Sequence, residues 1–504
     1  MANQRAQHRS LIERWVVTGN LRLETPAHFG NGEADALTDM PLLLDEVEGR
    51  PLLPGTSIAG ALRNYLCEIE SGYGVPEKQG SLASTLFGGA RGFEDGEQSS
   101  LIVEDALAAS GGFELRDGVA IDADTRTAKD EAKFDIQLLP AGTTFPLRFE
   151  LLVNKNDNGQ ALRNALATAL HGLETGEITL GTRKRRGFGQ CTVTGWQVWK
   201  YDLKNKNGLL AWLAQGHDWP EVSAVSPQTG SDLAAKLDDA VLRSKEADGR
   251  KLARLSATFT LDGTLMIRSG FGASDTGPDM VHLHSPRAGR QERVPVLPGT
   301  SWAGVLRHRA LKIARTVSGD DKEKAQMFVE GMFGPSKIDR EDSKHAKASR
   351  ISIKESEIVD ASALVVTRVK IDRFTGGAFE SALFSEQPAV GKSRTHLSLY
   401  LNLRKKAQPD KSEDLEKAEK EFQAEVGLLL LLLKDLWTGE LPLGGESGIG
   451  RGRLQGLNAT LTTPDGEWKF KQEGEKLVVT PEAETLEGWV GDFNAEVKKA
   501  QVAA

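Results

Sequence analysis

The chain has 504 residues, 39% apolar and 27% charged, with a formal net charge of −8. That balance excludes a disordered or fibrous chain and leaves room for roughly two to four ordinary hydrophobic cores. The apolar run Val426 to Leu433 is too short to cross a bilayer, and the polar opening Met1 to Arg14 lacks the apolar centre of a signal peptide. A soluble cytoplasmic protein without membrane attachment is therefore expected. Cys67 and Cys191 stand far apart with no CxxC spacing, which supports neither a zinc site nor a disulfide framework.

In chain order, "WVVTGNLRLETP" alternates with period two through Val17, Gly19, Leu21 and Leu23, which predicts a strand. A loop rich in glycines and acids follows, "AHFGNGEADALTDMPLLLD". Next, "LLPGTSIAGALRNYL" predicts a turn and a helix with Ser57 as N-cap and Ile58, Ala61, Leu62, Tyr65, Leu66 and Ile69 on one face. After "LFGG", "SLIVEDAL" and "VAIDADTRTA" come a second helix over Gly159 to Leu173, the Gly-rich "GTRKRRGFGQ" and a strand over Cys191 to Trp199. Residues 201–252, with Leu209, Leu210, Trp212 and Leu213, are expected to form a packed helical connector.

From residue 253 the pattern begins again. "RLSATFTLDGTLMI" is a second opening strand, and "VLPGTSWAGVLRHRAL" places Pro298 244 residues after Pro54. "MFGP", "SRISIKESEI", "VKIDRFTGGA", a longer helix from Leu415 to Trp437 and "ESGIGRGRL" complete the second copy in the same order, pairing Glu446 with Arg185. The expected organisation is repeat one at 12–200, connector at 201–252, repeat two at 253–463 and a charged extension with a final helix at 464–504. The order strand, helix, strands, helix, strand predicts an α+β chain of two tandem ferredoxin-like (RRM-like) units.

The motifs point to phosphate. Glycines in "GTRKRRGFGQ" allow close approach to a ligand, successive N–H groups make an anion nest, Arg183, Lys184, Arg185 and Arg186 add charge, and Phe188 is placed to stack on a base. These, with Gly187 and Gly189, are candidate RNA-binding residues; Gly448, Gly450, Arg451 and Arg453 are their counterparts. The helix starts carrying Ser57 and Ser301, with Arg63 and Arg307 in the following turns, are suited to an anion. Although the net charge is acidic, a local basic groove on an acidic body satisfies the requirement. Neither a P-loop nor a GxGxxG pattern is present, so a nucleotide cofactor is not indicated. In the acidic loops, "TDMPLLL" aligns with "PDMVHLH" and matches Asp39 to Asp279; Asp45 either assists or caps a turn. His282 and His284 alternate and either ligate a metal or decorate an edge strand.

Together, "HFGNG…TDMPLLLDEVEGRPLLPGTSIAGALR", "LFGG", "LIVEDA", "VAIDADTRTAKDEAKF" and "GFGQ" resemble the RAMP superfamily, specifically the backbone subunits of type III CRISPR effector complexes. The resemblance implies an RRM-like palm, a thumb β-hairpin in each copy ("IDADTRTAKDEAKF" and "IDRFTGGAFESALF"), and assembly along a CRISPR guide RNA with other effector subunits. It implies metal-dependent cleavage of complementary target RNA, with Asp39 and Asp279 as catalytic residues holding Mg²⁺ or another divalent cation. The alternatives are a non-catalytic RNA scaffold, with cleavage supplied by another subunit, and a metal-independent guide-processing ribonuclease using His28, near whose counterpart lies Phe271.

Overall fold

The computed structural model describes residues 10–30, 32, 38–89, 98–109, 111–122, 125, 127–215, 225–269, 277–319, 321–335, 348–406 and 412–498. The chain divides into two compact units, one comprising Met1–Glu114, Gln137–Thr182 and Gly189–Arg250, the other Leu115–Ile136, Arg183–Phe188 and Lys251–Ala504.

The first unit contains, in chain order, β1 (Leu11–Leu23), α1 (Gly55–Ser71), β2 (Leu101–Val103), β3 (Thr144–Asn154), α2 (Gly159–Glu174) and β4 (Cys191–Asp202). All pairings are antiparallel and the sheet order is β2-β3-β1-β4. The alternation read in β1 puts Trp15, Val17, Leu21 and Leu23 into the core. Helix α1 covers the sheet with Ile58, Leu62, Tyr65, Leu66 and Ile69, and α2 with Leu162, Leu166, Leu170 and Leu173. Each such side chain contributes about 2 kcal/mol on leaving water. One detail differs from expectation: α1 begins at Gly55, its N-cap is Pro54, and Ser57 makes no capping bond.

The second unit repeats this plan with β5 (Leu252–Asp262), α3 (Gly299–Ser318), β6 (Ile351–Ile353), β7 (His396–Arg404), α4 (Ser412–Trp437) and β8 (Arg453–Thr463). Its sheet order, β6-β7-β5-β8, continues through β9 (Gly466–Glu473) and β10 (Lys476–Thr480). The charged extension is therefore not an appendage. Its strands widen the sheet, and α5 (Glu484–Lys498) packs on α4 with Trp489 and Phe493 buried and Trp489 edge-on to Trp468 at 4.9 Å. Both sheets break register where β4 meets β1 and where β8 meets β5: between Thr18 and Asn20, and between Gly456 and Asn458. A Trp crosses a Gly at each break. A Cβ on Gly19 would lie 2.6 Å from Trp196, and one on Gly456 1.8 Å from Trp437.

The connector also departs from expectation. It contains helices Lys206–Leu213 and Leu233–Lys236, yet Leu209, Leu210 and Leu213 are exposed; packing comes from Trp212, edge-on to Tyr201 and under the Arg14 guanidinium, and from Leu233, Leu237 and Ala240 in the first core. Among the described residues no helix is long and apolar enough to cross a membrane.

The partition cuts across the repeat boundaries, because most of the first hairpin (Glu114–Ile121 with Ala128–Leu138) and the basic turn belong to the second unit. Buried charge explains this. Arg116 Nη1 lies 2.5 Å from Glu355 Oε2 and Nη2 donates to Ser285 Oγ at 2.7 Å; Arg287 completes the set, 2.7 Å from Glu355 Oε1. Burial opposes the charge on Glu355, but the Arg116 and Arg287 guanidiniums hold its carboxyl below the usual glutamate range. A folded value below the unfolded one means that this stabilisation is present above the ordinary glutamate range and is lost as pH falls through the folded value. Arg116→Ala, which leaves Glu355 with one cation, is expected to destabilise the protein by on the order of 3 kcal/mol at neutral pH and to flatten the acid limb of its stability profile, measured by denaturant titration between pH 3 and 8.

Candidate nucleic-acid interface

The two Gly-rich segments fold into the same turn. Arg183 (φ 54°) and Gly187 (φ 86°) flank a 3₁₀ turn at Lys184–Arg186; Glu446 (φ 61°) and Gly450 (φ 87°) flank another at Ser447–Ile449. Left-handed backbone at both ends explains the glycines, and it corrects the pairing read from sequence: Glu446 corresponds to Arg183, not Arg185. Phe188 then corresponds to Arg451 and Gly189 to Gly452, whose Cβ atoms would meet Leu180 O at 1.7 Å and Leu443 O at 1.9 Å.

The first turn concentrates positive charge. Lys184 is exposed and Arg183, Arg185 and Arg186 are half-buried. Arg183 stacks its guanidinium 4.4 Å from the Phe134 ring centre. Burial lowers the Arg186 pKa, and the neighbouring Arg307 and Arg183 charges lower it further, while its Nη1 is buried without a hydrogen-bond partner. Arg307 reaches this cluster from α3, with Glu330 at 3.7 Å and Pro335 O at 3.4 Å. The cluster has the chemistry of an anion site: guanidiniums whose mutual repulsion a phosphate would relieve.

The second turn is neutralised from within. Glu446 accepts a hydrogen bond from Arg268 at 3.1 Å and forms ion pairs with Arg368 at 3.3 Å and Arg451 at 2.5 Å, while Glu386 accepts from Arg451 at 2.8 Å and pairs with Arg368 at 3.1 Å. Arg451, 5% exposed, belongs to this cluster and is not displayed for RNA; Gly448, Gly450 and Arg453 are exposed. Phe188 needs a parallel correction. It is 3% exposed, under the Arg116 guanidinium at 5.7 Å, so its ring fills the interior and offers no face to a base.

The helix starts are partly occupied. Gly55 N–H donates to Asp105 Oδ1 at 2.6 Å, which takes the strongest anion position at α1 and leaves the exposed Thr56 and Ser57. At α3 the Arg186 carbonyl oxygen would lie 2.2 Å from a Cβ on Gly299, and Ser301 is half-buried. Arg63 pairs with Glu77 at 2.9 Å and donates to the carbonyls of Gly88 and Gly89, so it holds the "LFGG" turn; Arg307 does the same for "MFGP" through Pro335. Neither Asp105 nor Glu77 had been singled out from sequence. Shared offsets between the copies were the available signal.

Asp39 and Asp279 occupy equivalent exposed positions but differ in company. Asp279 Oδ2 accepts the Ser385 N–H at 2.6 Å and its Oγ–H at 3.1 Å, and that backbone bond, then the hydroxyl, holds the carboxyl below the usual aspartate range. The counterpart of Ser385 in the first repeat is Asp135, a carboxylate with no hydroxyl to donate. Asp45 caps its own turn, accepting Val47 N–H at 3.1 Å and Glu48 N–H at 2.7 Å. His28 is 2% exposed with Nδ1 2.8 Å from Gln137 O, a structural position unsuited to acid–base work on RNA; Phe271 lies outside the described residues. His282 is likewise buried, between Leu265 O and Val296 O, with burial pushing its pKa down to about 4, so it neither decorates an edge nor pairs with His284 as a metal clasp. Among the described residues no group of three or more His, Cys, Asp or Glu could hold a metal.

The RAMP superfamily model matches residues 20–192 and 258–455, one match on each repeat. The chain belongs to the RAMP superfamily, in tandem form. It is similar to the CRISPR system Cms endoribonuclease Csm3 of Streptococcus thermophilus, 27% identical over 217 residues that cover 38% of this chain and 94% of that protein.

A buried Phe188 has a clear consequence. Phe188→Ala should lower stability by about 3 kcal/mol, read by thermal melting, whereas Phe188→Leu should bind RNA as the wild type does in a filter-binding assay; a Leu variant that folds but loses RNA would restore the stacking role.

Proposed function

We propose that the chain is a guide-RNA-binding backbone subunit of a type III CRISPR effector complex, built from two ferredoxin-like RAMP repeats, that cuts complementary target RNA in the complex. The cluster of Arg183, Arg186 and Arg307, with Lys184 and Arg185 beside it, carries the RNA-binding part of this reading. Such a site grips phosphate without reading sequence, and base pairing between guide and target supplies the specificity. Arg186→Ala and Arg307→Ala are each expected to weaken guide binding for all sequences and to reduce the slope of log affinity against log salt by roughly 1, in titrations at several ionic strengths.

Cleavage is assigned to Asp39. The support is its exposed carboxylate, its place in the loop before the Pro-Gly-Thr-Ser turn, and the endoribonuclease named among the relatives. A single hard carboxylate oxygen suits Mg²⁺, which keeps most of its shell as water and substrate phosphate. When bound there, a divalent cation would supply charge neutralisation at the scissile phosphate. The chain's own task is to orient the target so that a ribose 2′-oxygen attacks its adjacent phosphorus as the bond to the 5′-oxygen breaks. The 2′-proton passes to a base and the 5′-oxygen gains a proton, leaving a 2′,3′-cyclic phosphate and a 5′-hydroxyl.

Asp279, committed to Ser385, favours a second reading for the second repeat alone: it holds RNA and does not cut. In complexes reconstituted with guide and a matched target, Asp39→Ala should reduce cleavage by at least about 100-fold with target affinity unchanged, and Asp279→Ala should leave most of it. Full cleavage by Asp39→Ala would end the assignment. A wild-type complex that binds target in Mg²⁺ and leaves it whole would make the chain a scaffold.

A further inference from the structure

The sheet of the second unit has one face under helices and one open to solvent. On the open face β5 presents Arg254, Ser256 and Thr258 between buried Leu255, Ala257 and Phe259, and β7 presents Ser398, Tyr400 and Asn402 between buried Leu397, Leu399, Leu401 and Leu403. Tyr400 lies opposite Ser256, and Asn402 opposite Arg254. The edge strand β6 runs on into Lys354, whose N–H donates to Tyr400 O at 3.0 Å. Tyr400 thus has a cation beside it on one neighbouring strand and a second cation one diagonal step away on the other. Its ring is 48% exposed, and Arg254 and Lys354 are exposed with it. Among the described residues neither cation pairs with a carboxylate; partial desolvation and then the Arg254 charge lower the Lys354 pKa. Farther along the sheet, Lys469 and Lys471 are neutralised by Glu467 at 3.3 Å and Glu473 at 2.9 Å.

The first repeat shows the same face closed. Sheet register makes Glu104 the counterpart of Lys354, Arg148 of Tyr400, Glu150 of Asn402 and Val16 of Arg254. There Arg148 pairs with Glu104 at 3.3 Å and with Glu150 at 2.7 Å, Glu150 also takes Arg14, and Arg14 lies 3.9 Å from the Trp212 ring centre. Val16 is fully buried with Trp199 and Tyr201, and the connector adds Trp212 to that cluster. Four positions therefore change together. Lys354 and Asn402 replace both carboxylates, an exposed tyrosine replaces the arginine they neutralised, and Arg254 replaces the valine beneath the connector. A face that sheds two carboxylates and gains two cations around an aromatic ring is complementary to an anion that carries a π-face of its own.

We propose that the open sheet face around Tyr400 binds single-stranded nucleic acid, one base stacking on the Tyr400 ring and the phosphates on either side of that base meeting Lys354 and Arg254. A duplex keeps its bases stacked on one another and has none to offer, so the occupant is an unpaired segment. Stacking tolerates any base, which makes this face a holder of strand and not a reader of sequence. Its chemistry differs from that of the cluster of Arg183, Arg186 and Arg307, which takes phosphate alone because Phe188 is buried.

The test uses the full chain and an oligouridine of about eight nucleotides carrying one 5-iodouracil, with the deoxy oligomer as a second arm. Irradiation is expected to give an adduct on Tyr400, located by peptide mass spectrometry. An adduct from the ribose oligomer alone names RNA as the occupant; adducts from both name a single strand held through base and phosphate. In an Arg186→Ala background, which weakens the other site, Tyr400→Ala should reduce affinity about tenfold in fluorescence anisotropy, and Tyr400→Phe should restore it. Lys354→Glu with Arg254→Glu should reduce it further and flatten its salt dependence. These side chains are exposed, so melting temperatures close to that of the parent are expected. Adducts confined to other residues, parental affinity in Tyr400→Ala, or equal competition by a duplex of the same length overturns the proposal. Arg186→Ala should keep the Tyr400 adduct, and its loss would return the strand to the basic turn, so failure of that RNA site and failure of this one are separate results.

Discussion

The carboxylate of Glu355 is the charge around which the second unit is organised. A fully buried glutamate is tolerated only where cations meet it inside the protein, and Arg116 and Arg287 do so from a hairpin of the first repeat and a loop of the second. Without both, the carboxylate would be protonated or the segment would open to water. Because Arg116 lies 239 residues before Glu355 in the chain, the contact fixes which hairpin completes the unit. The basic turn follows, since Gly187 can approach Glu355 N only by lacking a Cβ.

This constraint also places Arg186 beside Arg307. Their charges crowd in a half-buried position where neither finds full compensation, so the same docking that satisfies Glu355 creates a site of excess positive potential. In the second repeat the turn has the same backbone and the opposite electrostatics, because Glu446 replaces Arg183 and draws three arginines onto itself. The conserved element is the left-handed, 3₁₀, left-handed geometry. Charge on it was free to diverge.

The parts of this molecule legible in sequence are those set by local backbone need. Period-two alternation located β1 and β5, and Pro-Gly before an apolar helical face located α1 and α3, although the cap fell on Pro54 and not Ser57. Long-range charge was illegible. Nothing near Arg116 announces Glu355, and "EDA" in one copy and "KES" in the other conceal that Asp105 caps a helix while Glu355 receives an arginine. Side-chain direction was equally hidden: Phe188 beside four basic residues reads as a stacking platform, yet the αL residue before it turns it inward. For the same reason the sequence alignment paired Glu446 two residues away from its structural counterpart, since glycines alone do not fix register.

Duplication supplied two equal frames, and the differences between them share one direction. The first repeat has a carboxylate at 135 where the second has a hydroxyl that engages Asp279, a cationic turn where the second is neutral, and a buried ionic hairpin foot where the second is apolar and exposed. Substitutions on opposite sides of a contact matter only jointly: Val366 is harmless where no Glu355 awaits it, and Asp105 is harmless where no Arg116 arrives. Covalent fusion lets such changes accumulate in pairs, because the two repeats always meet in one order within the chain. A single-repeat protein would have to keep Arg116 and Glu355 matched on one sequence, and so could not place a valine at the arginine's position while the glutamate stayed buried.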